Sequence, residues 1–303
     1  MKKNIILFLT FLFFTNFSFS ENKFYKDAIF ILPKTTKLAF EWLLPPDENL
    51  KNSNAIFAID NKNKLWMGVN NNTVFNADNK ILFKTDTPFK SFIFTDNDFL
   101  FFQTEKFLSY IPPNGSKAST KQDKIITVPL QAFVSLPGDN CNIKPAIKNG
   151  IYFIVYKDNK SFVYFLGGSD SIKKIADKSS AISYKQIFIS DKNINAVAGN
   201  GNKTYVAIDN SVFEISQGNN NAKKYFTHPK AEILDLAFSE KAGVFYATKN
   251  HIGFTGKNSS FNFVKTQDAK IFTKGDCLYI FIRGNTGVLK IKNINDFKNY
   301  KIK

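Results

Sequence analysis

The chain has 303 residues, 44% of them hydrophobic, with 34 phenylalanines and 41 basic against 25 acidic residues, a formal charge of +16. The lysines come singly or in pairs, as at Lys173-Lys174 and Lys223-Lys224, never in a block, and arginine is nearly absent. This excludes a nucleic-acid binder, which would concentrate charge and use arginine for bidentate phosphate or base contacts, and leaves at most a weak attraction to anionic surfaces.

Met1 to Ser20 (MKKNIILFLTFLFFTNFSFS) has a positive start at Lys2 and Lys3, an apolar run from Ile5 to Phe14, and small residues at Ser18 and Ser20. That order predicts a secretory signal peptide, residues 1–20, cut after Ser20. Asn16 interrupts the run before it reaches the roughly 20 residues a membrane span needs, and no later stretch is long and apolar enough. Removing Lys2 and Lys3 leaves 39 basic against 25 acidic residues, hence +14 for the processed chain. The expected location is therefore periplasmic or extracellular.

Residues 21–54 form an irregular segment with two candidate strands, Asp27 to Leu32 and Lys37 to Leu43, ahead of a break at Pro45-Pro46. From Ala55 the pattern becomes regular. Ala55 to Asp60, Lys64 to Val69, Thr73 to Ala77 and Ile81 to Lys84 read as four short strands joined by polar hairpin turns. A second set follows at Ser91 to Thr95, Phe99 to Gln103, Phe107 to Ile111 and Lys124 to Leu130, and a third at Ile143 to Ile147, Ile151 to Tyr156, Phe162 to Leu166 and Ile172 to Ala176. The fourth has Ile194 to Ala198, Thr204 to Ile208, Val212 to Ile215 and Lys224 to Phe226. The fifth has Ile233 to Phe238, Val244 to Thr248, Ile252 to Thr255 and Phe261 to Lys265, and the sixth only Lys270 to Thr273, Leu278 to Ile282 and Val288 to Ile291.

Aligned on their central hairpins, the repeats place an aromatic at Trp66, Tyr152, Tyr205, Phe245 and Tyr279, while the second has Leu100 there or is displaced by one position. The hairpins recur about every 34, 52, 53, 40 and 34 residues, periods that suit the four-stranded blades of a propeller. One blade cannot bury both faces; packing blades around a ring buries them all and protects the strand edges. The predicted fold is all-β, a β-propeller over residues 55–303 with six four-stranded blades, seven being the alternative. The incomplete sixth repeat predicts that an N-terminal strand, Asp27 to Leu32 or Lys37 to Leu43, pairs beside Val288 to Ile291 and closes the ring.

Leu65-Trp66-Met67-Gly68-Val69, followed by an Asn-rich turn and Val74-Phe75, resembles the blade pattern of two-component-regulator-type and other WD40/YVTN-like propellers; Tyr205-Val206-Ala207-Ile208 and Phe245-Tyr246-Ala247-Thr248 match it in part. The resemblance spans Ala55 to Ile291 in short motifs, with Asn or Lys at the usual turn glycines and no Trp-Asp dipeptide closing a blade. It implies the fold and no activity.

No catalytic, cofactor-binding or metal-ligating set stands out, and no cofactor is expected. His228 and His251, the only histidines, read as surface residues half a blade apart. Asp96-Asn97-Asp98 and Asp60-Asn61-Lys62-Asn63 read as turns, since neither has the Gly and distant Glu of a calcium loop. Cys141 and Cys277 fall in non-adjacent repeats, too far apart for a bridge, and read as separate thiols. The leading expectation is an exported, non-catalytic binding module for a protein or envelope polymer. The alternatives are a lactonase- or lyase-type propeller enzyme with a metal in its channel, and a structural envelope protein.

Overall fold

A computed structural model describes residues 29–31, 39–46, 50, 55–69, 72–78, 80–95, 99–111, 125–148, 150–167, 184–216, 221–256, 259–282 and 287–299. The signal-peptide segment and Asp96-Asn97-Asp98 lie outside them. Two N-terminal strands come first, β1 (Ile29–Phe30) and β2 (Phe40–Leu44). Blade 1 holds β3 (Ile56–Ile59), β4 (Leu65–Val69), β5 (Thr73–Asn76) and β6 (Ile81–Thr85). Blade 2 holds β7 (Ser91–Phe94), β8 (Leu100–Gln103) and β9 (Phe107–Tyr110); after β10 (Thr127–Val128) it is completed by β11 (Gln131–Ser135). Blade 3 is β12 (Cys141–Ala146), β13 (Gly150–Lys157), β14 (Lys160–Leu166) and β15 (Lys185–Ser190). Blade 4 is β16 (Ile194–Gly199), β17 (Lys203–Ile208), β18 (Ser211–Ser216) and β19 (Ala222–Thr227). Blade 5 is β20 (Ile233–Ser239), β21 (Gly243–Thr248), β22 (His251–Thr255) and β23 (Ser260–Lys265). Blade 6 is β24 (Lys270–Lys274), β25 (Cys277–Ile282) and β26 (Gly287–Lys292), with β2 as its fourth strand.

The closing strand is the second N-terminal candidate. β2 runs antiparallel to β26, with Phe40 opposite Ile291, Trp42 opposite Leu289 and Leu44 opposite Val288. The first candidate is used as well: β1 adds to the outer edge of blade 5, where Ile29 lies opposite Lys265. After β26 the chain turns into a 3-10 helix, Ile294–Asn299, which drives Phe297 into the core between blades 5 and 6.

Two outer strands differ from the sequence reading. Lys124 to Leu130 is not the fourth strand of blade 2: within it β10 crosses to run parallel with β6 of blade 1, and the blade 2 edge goes to Gln131–Ser135. In blade 3 the edge is Lys185–Ser190, and the expected Ile172 to Ala176 lies outside the described residues. Most outer strands bury little and carry weak apolar signals, β23 being the exception with Phe261, Phe263 and Val264 buried; β19 (AKKYFT) has three exposed residues in succession and none buried.

The core is six separate apolar clusters, one at each contact between neighbouring blades. The aromatic row lies in them. Tyr152 packs into the blade 3–4 cluster, Tyr205 into 4–5, Phe245 into 5–6 and Tyr279 into 6–1, while half-buried Trp66 packs against 1–2. Phe101 fills the place in blade 2, one position beyond Leu100. Each aromatic of a second strand thus packs forward onto the following blade, which is why the pattern repeats once per blade.

Candidate functional site

The first strands of the blades face the axis. First strands touch in sequence from β3 through β7, β12, β16 and β20 to β24, and the Lys274 side chain of β24 reaches back to Ile59 of β3, so these six strands make the channel wall. These strands are largely apolar, and among the described residues five of the six contacts between blades carry polar ties as well. Gln103 of blade 2 donates to the Cys141 carbonyl of blade 3. The buried Tyr152 hydroxyl meets Thr204 Oγ1 of blade 4 at 3.0 Å. Asn195 Nδ2 donates to the Ile233 carbonyl of blade 5 at 3.0 Å, Thr273 to that of Phe238, and Lys274 Nζ to that of Ile59 at 3.2 Å, from blade 6 to blade 1.

One charge pair spans the channel. Lys144 leaves β12 in blade 3 and places Nζ 2.5 Å from Asp235 Oδ1 on β20 in blade 5. The same oxygen accepts from the Leu236 amide at 3.0 Å, and Oδ2 accepts from the Ile271 amide of blade 6 at 2.9 Å. Lys144 Nζ also reaches the Ile271 carbonyl at 3.5 Å. The Asp235 side chain is 5% exposed and that of Lys144 21%. A buried carboxylate costs several kcal/mol unless it is paired and hydrogen-bonded, and this one is both. The sequence reading missed the pair, although each charge stands within an apolar first strand, ILDLAFS and CNIKPA.

At the mouth of the channel a cleft of about 450 Å³ opens between blades 3 and 4. Asn140 and Asn142 line it from the start of β12, Tyr156 and Ser161 from the β13–β14 hairpin, and Asn193 and Asn195 from the start of β16. Lys144 lies two residues past Asn142 on the same side of β12, so the cleft leads toward the ion pair. The cleft sits at the end of the ring where each outer strand passes to the next blade's first strand. Among the described residues its lining holds no charged side chain, despite the charge of the whole chain. Ser161, itself buried, accepts from the Ile194 amide at 3.1 Å and fixes the floor.

Of the two histidines, His228 requires a correction, while His251 is half-buried at the head of β22. His228 is buried, 7% exposed, because the segment after β19 folds back over blade 5 instead of running through solvent. Its Nδ1 accepts from the amides of Ala231 at 2.9 Å and Lys230 at 3.3 Å, and its ring meets Tyr246 edge-on at 5.7 Å. Burial pushes its pKa down, and the nearby His251 adds to this; burial and then Lys265 lower His251 likewise. His228 is a packing element at the blade 4–5 contact, between Phe226 and Tyr246. Among the described residues no group of three or more His, Cys, Asp or Glu converges as metal ligands would.

Asp60 is a turn carboxylate: Oδ1 accepts from the amides of Lys62 at 2.9 Å and Lys64 at 2.8 Å, and Oδ2 from Trp66 Nε1 at 3.0 Å. Cys141 and Cys277 are both free thiols, in blades 3 and 6 on opposite sides of the ring. Burial pushes the Cys141 thiol up to about 12, so it stays protonated and unreactive.

No family model and no curated protein matches the sequence. Among solved structures the chain is similar to a virginiamycin B lyase from Staphylococcus aureus, at 14% identity over 84% of this chain and 99% of the other, with a TM-score of 0.53. It is similar to a gluconolactonase from Xanthomonas campestris, at 10% identity over 84% and 89%, TM-score 0.56. A streptogramin B lyase aligns at 12% identity over 84% and 97%, TM-score 0.50. Identities this low establish a common fold and no common chemistry. The chain is a six-bladed β-propeller of the architecture these enzymes share.

Proposed function

We propose that the protein is an exported, non-catalytic propeller that holds an envelope or extracellular partner on the loop face where the blade 3–4 cleft opens. The observation that carries this reading is the state of Asp235. A channel carboxylate that ligates a metal or removes a proton needs free lone pairs facing the substrate. Asp235 gives its oxygens to the Lys144 ammonium and to the Leu236 and Ile271 amides, and so ties blades 3, 5 and 6 together. The leader-like Met1 to Ser20 supports export. No helix among the described residues is long and apolar enough to cross a membrane.

The test is affinity capture from envelope extract on the immobilised processed chain, run beside lactone and glycan turnover assays with divalent cations added. The reading expects a retained partner and no turnover. An empty column, or metal-dependent turnover abolished by Asp235→Asn, defeats it.

A further inference from the structure

We propose that the cleft between blades 3 and 4 binds a neutral saccharide; this rests on the binding-module reading and names its ligand class. The lining argues for that chemistry. Among the described residues, the side-chain amides of Asn142 and Asn193 make no hydrogen bond within the protein, so a donor and an acceptor on each are available to a ligand. Asn195 spends its Nδ2 on Glu232 at 2.9 Å and on the Ile233 carbonyl, which fixes the amide and leaves its carbonyl oxygen as an acceptor. Ser161 has one of its two lone pairs engaged by the Ile194 amide and retains its hydroxyl proton to donate. Amides and a hydroxyl that both give and accept match the vicinal hydroxyls of a sugar.

The aromatic side of the cleft completes the match. Tyr156 is 45% exposed, although it belongs to β13, where six consecutive residues from Gly150 to Val155 are buried. Its hydroxyl donates to Asn159 Oδ1 at 3.3 Å, which anchors the ring at the rim of the cleft. An anchored, exposed aromatic beside fixed polar groups offers a flat apolar face to a ring that is polar at its edges. Among the described residues of the lining a polyanion finds no cation, and an apolar ligand finds little beyond Ile154 and Ile194. The volume of about 450 Å³ suits two or three sugar rings.

The experiment is calorimetric titration of the processed chain with maltohexaose, cellohexaose and an N-acetylglucosamine tetramer, and with polygalacturonate as the acidic comparison, at low and high salt. At least one neutral oligosaccharide should bind with an affinity that salt does not change, because no ion pair forms. Tyr156→Ala and Asn142→Ala should each weaken it by about tenfold or more, with unchanged thermal midpoints because both side chains are exposed. Binding of polygalacturonate alone, lost at high salt, overturns the proposal, as does saccharide binding indifferent to both variants, or no saccharide binding at all. If the partner from envelope extract is still retained by both variants and is not displaced by any saccharide, the cleft assignment fails while the binding-module reading stands. An empty column together with no saccharide binding defeats both.

Discussion

Phe245 is fully buried, its ring 5.2 Å from Phe254, 5.4 Å from Phe297 and 6.1 Å from Phe263, so three neighbours pack against one side chain. Phe245→Ala should cost about 3–5 kcal/mol from lost transfer energy and an unfilled cavity, read as a shift in the urea midpoint. A midpoint within error of the parent would mean that the aromatic row does not hold the blades. The Lys144–Asp235 pair gives an asymmetric expectation. Lys144→Ala strands a buried carboxylate and should cost about 3 kcal/mol, whereas Asp235→Asn keeps a partner for the Ile271 amide, leaves a lysine with some solvent access, and should cost less. Equal losses would contradict the burial assigned to Asp235. His228 makes stability depend on pH. Its folded pKa lies below the ordinary value of 6.5, so as pH falls the unfolded chain takes up the proton first. Stability is complete above about pH 6.5 and declines below it, as it does for His251, which shifts in the same direction beside Lys265. Protonating His228 would also displace the two amides from Nδ1. His228→Asn keeps an acceptor and should flatten the fall in thermal midpoint between about pH 7 and pH 5; an unchanged slope would show that His228 titrates normally.

At the scale of the strand, the blade pattern has a packing cause. In Leu65-Trp66-Met67-Gly68-Val69 the small residue is required because a Cβ on Gly68 would lie 2.7 Å from the Phe92 ring and 2.8 Å from that of Phe89, both of them buried at the blade 1–2 contact. Ala207 and Ala247 fill the same place in blades 4 and 5. Gly68→Ala should therefore destabilise by about 1–3 kcal/mol through overpacking, measured by denaturant titration; a neutral substitution would place the rings elsewhere. The Asn and Asp residues that replace turn glycines do so at left-handed positions, with φ of 58° at Asn63, 52° at Asp158, 60° at Asn159 and 53° at Asp209, a conformation these two residues tolerate better than most. The inner hairpins were legible in the sequence because they are buried on both faces and punctuated by such turns. The outer strands were not. Lys124 to Leu130 misled because a short apolar stretch shows that a strand forms and not which blade edge accepts it. The candidate site was still less legible: Asn142 and Asn195 look like every other asparagine in an Asn-rich chain, and Lys144 meets Asp235 only because the ring brings strands 91 residues apart in sequence to one axis.

At the scale of the molecule, closure is a contact between the two ends of the described chain. β2 brings Phe40 and Trp42 against the blade 5–6 cluster and Leu44 into the blade 6–1 cluster, and Glu41 pairs with Lys292 at 2.7 Å and Lys290 at 3.0 Å. Hydrogen bonds to those lysines hold the Glu41 carboxyl below its usual range, but the residue is exposed enough that the apolar burial, about 1.5–3 kcal/mol per large side chain, dominates. Without β2, blade 6 would present an unpaired β26 edge and two of the six clusters would lose a wall. The most direct test is the thermal midpoint of the chain lacking residues 21–46 against that of the parent. A ring closed by this segment predicts a lowered midpoint corresponding to several kcal/mol, or no cooperative transition. An unchanged midpoint would contradict it, because the six blades would then close without the N-terminal strand.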